Sequence, residues 1–310
     1  MTLSVVIITF NEEANIGRTL ASVQPLVTTH GRLSNNEIIV VDSGSTDRTV
    51  EIAKSYGAKV FVEEWKGFAA QKNSAIDKAS GDWILSLDAD EEVEPELATE
   101  LADRFATSPP DHSGLLDRAR RSRYLFTRRS YREMRALAKR KGLSEEGLIA
   151  VVNGFWIPRK NEFLGRWIKH GGLWPDPKLR LFRKGMARFE DRAVHEDARL
   201  ADGISGRLAH ALIHHSYPTL SDYLDHMNRY SSLGAEMVSA RGTPRFSVFN
   251  IVIRPAATFV YNYFFRLGFL DGREGLLLHL YHAVYVSWKY AKVWELARVK
   301  STADPSLHSG

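Results

Sequence analysis

The chain has 310 residues, of which 44% are hydrophobic and 25% are charged, and its formal net charge is +5. This composition is typical of a globular protein with a full core and excludes an intrinsically disordered chain. The chain contains no cysteine, which excludes disulfides and thiolate metal sites and fits a reducing compartment.

The N-terminal residues M-T-L-S-V-V-I-I-T-F lack a basic region, so they predict a strand rather than a secretion signal. No stretch approaches the roughly 20 uncharged apolar residues that a membrane-spanning helix needs. We therefore expect a chain that does not cross a membrane.

The first hundred residues alternate short apolar runs with helical patterns. Strands are predicted at Leu3–Thr9, Glu37–Val41, Lys59–Val62 and Trp83–Leu87, each followed by a helical segment. Four such units predict an α/β fold with a mainly parallel sheet and helices on both faces. In sheets of this kind, ligands bind outside the carboxyl ends of the strands.

Two acidic residues, Asp88 and Asp90, follow the fourth strand in the run S-L-D-A-D-E-E. If the extended geometry continued, both side chains would point the same way, and paired carboxylates suit Mg²⁺ or Mn²⁺. The alternative is a solvated turn whose acids, Glu91 and Glu92, precede a helix that begins at Pro95. The position of Asp88 and Asp90 among other polar strand ends favours the cation site.

The other strand ends are ambiguous in the same way. Asp42 could accept a hydrogen bond from a nucleobase imide, and Gly44 would allow close approach of a ligand to the backbone. Asp42 could equally form an Asx-turn, and Asn11 could cap the helix after the first strand. The chain has no G-x-G-x-x-G and no G-K-[ST] motif, so a Rossmann dinucleotide site and a P-loop are not supported.

The basic residues are concentrated in one segment, because residues 118–141 contain eleven Lys or Arg and a single acid. This segment carries +10 and suggests a partner with phosphates. We predict the following divisions of the chain: 1–105 as a βα half, 106–150 as a basic helical insertion, 151–216 as a second half with strand-like pieces at Gly154–Arg159 and Lys178–Lys184, 217–300 as a helical region and 301–310 as a tail.

Several motifs together resemble the inverting family 2 glycosyltransferases with the GT-A fold. They are T-F-N-E-E at 9–13, V-V-D-S-G-S-T-D at 40–47, A-A-Q-K-N at 69–73 and L-D-A-D-E at 87–91. Later motifs resemble the lipopolysaccharide inner-core β-1,4-glucosyltransferase branch: P-R-K-N-E-F-L-G-R-W-I-K-H-G-G at 158–172, K-L-R-L-F-R-K at 178–184, V-H-E at 194–196 and L-D-G-R-E-G-L at 270–276. The resemblance covers nearly the whole chain except residues 106–150. It implies that 1–105 is the nucleotide-sugar-binding half and that 151–216 is the acceptor-binding half.

The resemblance implies roles for the matching positions, with Mg²⁺ or Mn²⁺ as the cofactor. The nucleotide-sugar site would comprise Thr9, Asn11, Glu12, Asp42, Gly44, Lys72 and Asp88. Among these, Lys72 would approach the diphosphate as a point charge, and Asp88 would reach the ribose or the metal. Asp90 would bind the cation that bridges the diphosphate.

Inversion also requires a base that deprotonates the acceptor hydroxyl. The cluster His195-Glu196-Asp197 is of the right chemical type; we favour Glu196 as the base, with Asp197 as the rival. His195 is either a third metal ligand or a structural residue. Trp174 and Arg180 are candidates for acceptor contacts, against core packing for the tryptophan and a strand flank for the arginine.

The C-terminal stretch 246–270 is rich in aromatic residues and has sparse arginines, as in helices that lie in a bilayer interface. The alternative is a helical subdomain packed on the sheet or on a second subunit. The basic segment 118–141 would add attraction to anionic lipid.

We therefore expect a metal-dependent, inverting transferase that moves a hexose, with glucose favoured, from a UDP-sugar to a phosphorylated, lipid-linked saccharide such as the lipopolysaccharide inner core. It would act peripherally at the cytoplasmic face of a bacterial inner membrane and would not bind nucleic acid. The alternatives are a non-catalytic GT-A scaffold and a phosphate- or nucleic-acid-binding protein that uses residues 118–141.

Overall fold

The structure is a computed structural model that describes residues 1–28, 36–106, 132, 135–136, 139–140, 142, 152–190, 197–201, 204–240 and 246–303. The strands are β1 (Leu3–Thr9), β2 (Glu37–Asp42), β3 (Lys59–Val62), β4 (Trp83–Asp88), β5 (Glu91–Val93), β6 (Val152–Ile157), β7 (Arg159–Phe163), β8 (Arg166–Trp167), β9 (Lys178–Arg183), β10 (Ala187–Phe189), β11 (Ala198–Leu200), β12 (Ile204–Arg207) and β13 (Leu212–Tyr217). The α-helices are α1 (Ile16–Thr28), α2 (Thr49–Ser55), α3 (Phe68–Lys78), α4 (Pro95–Ala106), α5 (Leu220–Ser239), α6 (Arg254–Val260) and α7 (Gly272–Ala303). Two π-helical segments, Phe249–Ile253 and Tyr261–Phe265, flank α6, and a 3₁₀ turn, Gly268–Asp271, precedes α7.

The central feature is a sheet that, within the described ranges, has seven strands in the order β12-β6-β9-β4-β1-β2-β3. Strand β1 is parallel to β2 and β4, β2 is parallel to β3, and β6 is parallel to β12. Strand β9 runs antiparallel between β4 and β6. The predicted mainly parallel α/β sheet is therefore confirmed.

Alternate residues of β1 pack against helices on opposite faces of this sheet, as the period of two in a strand requires. Val5 and Ile7 belong to a core cluster with residues of α1 and α4. Val6 belongs to a second cluster with Ala75 and Ile76 of α3. Because both faces are covered, β1 has the continuous apolar sequence of a strand buried on two sides.

The parallel register brings three polar strand ends to one edge of the sheet. Thr9 is the partner of Asp42 across β1 and β2, and Ile8 is the partner of Asp88 across β1 and β4. This edge is the predicted position of the binding crevice.

The chain divides into two compact units at points that differ from the predicted boundaries. Among the described residues, one unit contains those within 1–160, 175–190 and 197–214, and the other contains those within 161–174 and 215–303. The segment 161–174 thus leaves the predicted acceptor half 151–216. The physical reason is a separate apolar cluster in which Phe163 and Ile168 pack with Tyr223 and Leu278. Most of the predicted insertion 106–150 lies outside the described residues.

Glu37, at the start of β2, binds groups from three neighbouring segments. Its carboxylate accepts from Ser4 Oγ (2.7 Å), from the Ser80 amide (2.6 Å) and from Lys59 Nζ (2.6 Å). Burial opposes ionisation, but these donors hold the pKa of Glu37 at about 2. A depressed folded-state pKa means that this carboxylate stabilises the fold above the ordinary glutamate pKa and that the stabilisation is lost as the pH falls towards 2.

We predict that Glu37→Gln lowers the free energy of unfolding at pH 7 by about 2 kcal/mol, the scale for hydrogen bonds to a charged group. The Lys59 pair adds little because that lysine is largely exposed. Urea unfolding at pH 7 and at pH 3 measures the effect, which should shrink at the lower pH. The matched variant Glu51→Gln, at an exposed position on α2, should leave stability unchanged, and equal effects of the two variants would contradict the prediction.

Candidate functional site

The loops after β1 and β2 are hydrogen-bonded to each other. The Asn11 amide donates to Ser45 Oγ, and Asn11 Oδ1 accepts from the Thr46 amide, both at 2.8 Å. Asn11 has a φ of 53°, in the left-handed region that asparagine tolerates. The alternative that Asn11 caps the first helix is wrong, because α1 begins at Ile16 and the Asn11 side chain binds the neighbouring loop. A contact between Asn11 and a nucleotide sugar stays a prediction.

Asp42 closes the turn that follows β2. Its Oδ1 accepts from the amides of Gly44 (2.9 Å) and Ser45 (2.8 Å), and its Oδ2 accepts from the Ser45 hydroxyl. Gly44 has a φ of 90°, a conformation that favours glycine. The Asx-turn is therefore present, and a contact between Asp42 and a nucleobase stays a prediction.

Polar groups suited to a ligand lie at the same edge. Thr9 Oγ1 and Ser43 Oγ are buried and have no hydrogen-bond partner within the described part of the chain. Buried hydroxyls in native proteins are nearly always paired, so a polar ligand fits beside them. Burial raises the pKa of Glu12, and the charges of Asp90 and Asp88 raise it further. The polar residues after β1 and β4 are therefore close enough for their charges to interact.

Asp88 belongs to a buried network of ion pairs. Its Oδ1 lies 2.8 Å from Lys72 Nζ, and its Oδ2 pairs with Arg180. Arg180 also lies 2.7 Å from Glu91 Oε1, and Glu91 accepts from the Asp88 amide at 3.0 Å. Burial opposes ionisation of Asp88, but Arg180 and Lys72 hold the pKa of this carboxyl well below its usual range. Glu91 is 0% exposed, so the solvated-turn alternative is wrong for this residue.

Asp90 has a different partner. Strand β4 ends at Asp88, and Asp90 lies in the turn that follows, so the extended geometry that would align the two side chains does not continue. Asp90 Oδ2 lies 3.3 Å from His214 Nε2 on β13. Burial opposes ionisation of Asp90, yet His214 keeps the pKa of Asp90 below its usual value.

The Asp90–His214 pair fits a divalent cation as a partial protein site. Carboxylate oxygen suits Mg²⁺ and Mn²⁺, and imidazole nitrogen is compatible with transition metals. The described residues contain no group of three Asp, Glu, His or Cys side chains that could hold a metal. Mg²⁺ is commonly bound through one or two carboxylates together with substrate phosphates, so a two-residue site suits a cation that arrives with a diphosphate.

The ion-pair network continues from Glu91 towards Asp197, one of the two candidates for the base. Arg159 lies 3.1 Å from Glu91 Oε1 and 2.7 Å from Asp176 Oδ2. Lys178 lies 3.9 Å from Asp176 and 3.6 Å from Asp197. The network therefore connects Asp197 with the Asp88 end of the site through alternating charges.

Asp197 is accessible from solvent, because 42% of its side chain is exposed, and a general base must come within hydrogen-bond reach of the proton that it removes. Glu196, the favoured base, and His195, the candidate metal ligand, lie outside the described residues. The choice between Glu196 and Asp197 stays a prediction.

The two predicted acceptor residues have different surroundings. The Arg180 side chain is 5% exposed and binds Asp88 and Glu91, so it is enclosed instead of facing an acceptor, which favours a positioning role. Trp174 lies in the second unit, edge to face with Trp167 at 5.1 Å between ring centroids. Its acceptor role stays a prediction.

Four ionisable residues of the site escaped the sequence analysis: Glu91 as a buried group, Arg159, Asp176 and His214. The available signal was a charged or imidazole side chain inside an apolar run, as with His214 in L-I-H-H-S-Y at 212–217, which forms β13 in the structure. Such a residue is costly to bury without a partner, but the pattern alone does not identify the partner.

Comparison with known proteins adds three findings. The sequence model of the family described as Glycosyl transferase family 2 matches residues 4–187. The chain is 29% identical over 303 residues to an uncharacterized glycosyltransferase of Rickettsia typhi, over 95% of this chain and 87% of that protein. It is 24% identical over 306 residues to the lipopolysaccharide core biosynthesis glycosyltransferase LpsC of Rhizobium meliloti, over 96% and 94% of the two chains.

A shorter match occurs among solved structures. Glucosyl-3-phosphoglycerate synthase from Mycobacterium tuberculosis, in complex with Mn²⁺, UDP and glucosyl-3-phosphoglycerate, is 32% identical over a segment that covers 34% of this chain and 40% of that chain, with a TM-score of 0.29. The family match is much longer. Residues 4–187 include the polar strand ends Thr9, Asp42, Asp88 and Asp90.

Proposed function

The chain belongs to glycosyl transferase family 2 and has the GT-A fold, and we propose that this glycosyltransferase moves a hexose from a UDP-sugar to a lipid-linked saccharide with inversion at the anomeric carbon. The observation that carries the proposal is the convergence of Thr9, Glu12, Asp42, Asp88 and Asp90 at the carboxyl edge of the sheet within the family-matched region. A ligand crevice is expected at this edge in open α/β sheets.

In this proposal the nucleoside binds at the ends of β1 and β2. The unpaired hydroxyls of Thr9 and Ser43 supply hydrogen-bonding groups there. Asp90 and His214 would hold a divalent cation, which would offset the negative charge of the leaving diphosphate. Lys72, whose ammonium already neutralises Asp88 at 2.8 Å, contributes positive charge beside the diphosphate.

The acceptor hydroxyl needs a base that removes its proton as the new glycosidic bond forms and the bond to the diphosphate breaks. Asp197 is the candidate among the residues that the structure describes, and its carboxylate lies 3.6 Å from Lys178 Nζ. Glu196 is the alternative by sequence. The acceptor class is supported by the likeness to LpsC, which is a lipopolysaccharide core biosynthesis glycosyltransferase.

Calorimetry of UDP binding tests the donor part of the proposal. We expect wild-type protein to bind UDP in the presence of Mn²⁺ or Mg²⁺ and to lose this binding in excess EDTA. Release of UDP from UDP-glucose, but not from other UDP-hexoses, would then identify the sugar. UDP binding that is unaffected by EDTA would contradict a cation-bridged diphosphate.

We further propose that the apolar surface of residues 246–270 lies on an anionic bilayer at the cytoplasmic face of a bacterial inner membrane. Phe265 and Phe249 are 75% and 60% exposed, and other large apolar side chains of the segment are also exposed. The segment contains Arg254 and Arg266 but no acid, which complements anionic headgroups. No helix in the described ranges has both the length and the apolarity needed to span a membrane.

Sedimentation with phosphatidylcholine vesicles, with and without phosphatidylglycerol, tests this attachment. Binding should increase with phosphatidylglycerol, and Phe265→Ser should weaken it about tenfold, because burial of such a side chain contributes about 1.5–3 kcal/mol. The control Phe61→Ser replaces an exposed phenylalanine of β3 and should have no effect. Absence of vesicle binding would contradict membrane attachment. If the wild-type protein is also a dimer and Phe265→Ser makes it a monomer, the apolar surface is a subunit interface.

A further inference from the structure

Two sequence motifs with no role in the donor site meet in the second unit. One open cleft, with a volume of about 660 Å³, is lined by residues from both motifs. The motifs are F-L-G-R-W-I-K-H at 163–170 and L-D-G-R-E at 270–274. This volume is within the range of sites for small molecules. The cleft belongs entirely to the second unit.

The wall of the cleft is held by a buried carboxylate. Asp271 is 2% exposed, and it accepts from the backbone amides of Lys169 (3.2 Å) and His170 (2.8 Å). Its Oδ1 also lies 3.0 Å from His170 Nδ1. Because these groups surround its oxygens, Asp271 fixes the wall and its charge is offset locally.

Cationic side chains of the cleft are available to a ligand. Lys169 makes no ion pair with any described carboxylate, and its Nζ lies 4.6 Å from the centroid of the Trp167 ring. Arg166 has an ion pair with Glu274 at 3.5 Å, and its side chain is about half exposed. An exposed pair at this distance contributes little, so the guanidinium can bind another anion in the bidentate way that suits phosphate.

We propose that this cleft binds a saccharide that carries a phosphate group. Arg166 and Lys169 would bind the phosphate oxygens, and the indole of Trp167 would contact the apolar face of the sugar ring, with Glu274 accepting from sugar hydroxyls. If this saccharide is the acceptor of the transfer reaction, that identification rests on the proposed function. The binding site itself does not depend on it.

Calorimetric titration of the full chain with glucose 6-phosphate, glucose and inorganic phosphate tests the site. We expect glucose 6-phosphate to bind more tightly than either glucose or phosphate. Lys169→Ala and Arg166→Ala should each weaken this binding about tenfold, the effect of losing one charge-assisted hydrogen bond. The control Arg273→Ala, at an exposed position in the first turn of α7 outside the cleft lining, should bind as wild type does.

The outcomes that overturn the proposal are distinct. Undetectable binding of glucose 6-phosphate excludes the site, and equally tight binding of inorganic phosphate excludes the saccharide part. An equal loss in Arg273→Ala shows attraction by general surface charge instead of a cleft. Thermal unfolding of each variant reports whether the fold is retained. UDP titration of the same samples reports the donor site separately, so the failure of one proposal is distinguishable from the failure of the other.

Discussion

Asp90→Asn is expected to weaken Mn²⁺-dependent UDP binding about 100-fold, equivalent to about 3 kcal/mol for the loss of a charged ligand. The asparagine keeps the shape of the side chain but removes the charge that attracts the cation. In the proposed cation site, His214, whose Nε2 is 3.3 Å from Asp90 Oδ2, would then be the one remaining protein ligand among the described residues. Calorimetry with UDP at fixed Mn²⁺ measures the change, and hexose transfer should decline with it.

Two further variants separate this effect from a change in surface charge. His214→Gln should weaken the same binding about tenfold, because a cation site loses affinity in steps as ligands are removed. Asp77→Asn, which removes an exposed carboxylate of α3 that pairs with Arg188, should leave UDP binding unchanged. If Asp90→Asn binds UDP as wild type does in Mn²⁺, the carboxylate of Asp90 is not part of the cation site.

Arg180→Met is expected to lower the free energy of unfolding by about 3–5 kcal/mol, the cost of breaking a buried ion pair from one side. Arg180 pairs with both Asp88 and Glu91, and Glu91 is fully enclosed. The methionine fills a similar volume, so little of the lost stability is due to a cavity. Most of it is due to the carboxylates of Asp88 and Glu91 that lose their partner. Urea unfolding at pH 7 measures the change.

Arg188→Met is the matched control, because Arg188 is exposed and pairs with exposed Asp77; exposed ion pairs contribute little, so its stability should stay close to that of wild type. Adding Glu91→Gln to Arg180→Met should recover part of the lost stability, because it removes one uncompensated charge. Equal stability of the two methionine variants would show that the Arg180 pairs do not hold this edge of the sheet together.

Local patterns in the sequence were sufficient for the nucleotide half of the fold. The apolar runs of β1, β2 and β4 and the helices between them predict a parallel sheet, because strands buried on both faces need continuous apolar sequence. A parallel sheet places all carboxyl ends at one edge, so the proximity of Thr9, Asp42 and Asp88 was predictable without coordinates. Exact helix starts were less predictable, as Asn11 shows by binding a neighbouring loop rather than capping α1.

The partners of the buried charges could not be predicted from local patterns. Arg180 is 92 residues from Asp88 in sequence. Its local sequence shows only one of several basic residues that flank a strand. The pairing of Asp90 with His214 likewise depends on how β13 lies against β5. The separation of 161–174 from the rest of 151–216 depends on packing of Phe163 against Tyr223.

The sequence by itself determined that this chain forms an α/β fold with acidic strand ends, because periodicity and strand-end composition are local properties that burial imposes directly. The tertiary structure decided which cation neutralises which carboxylate, which histidine accompanies Asp90 and which segments form the second unit. Those choices depend on contacts between residues far apart in the chain, where a buried charge requires a partner but the amino-acid pattern does not specify its position.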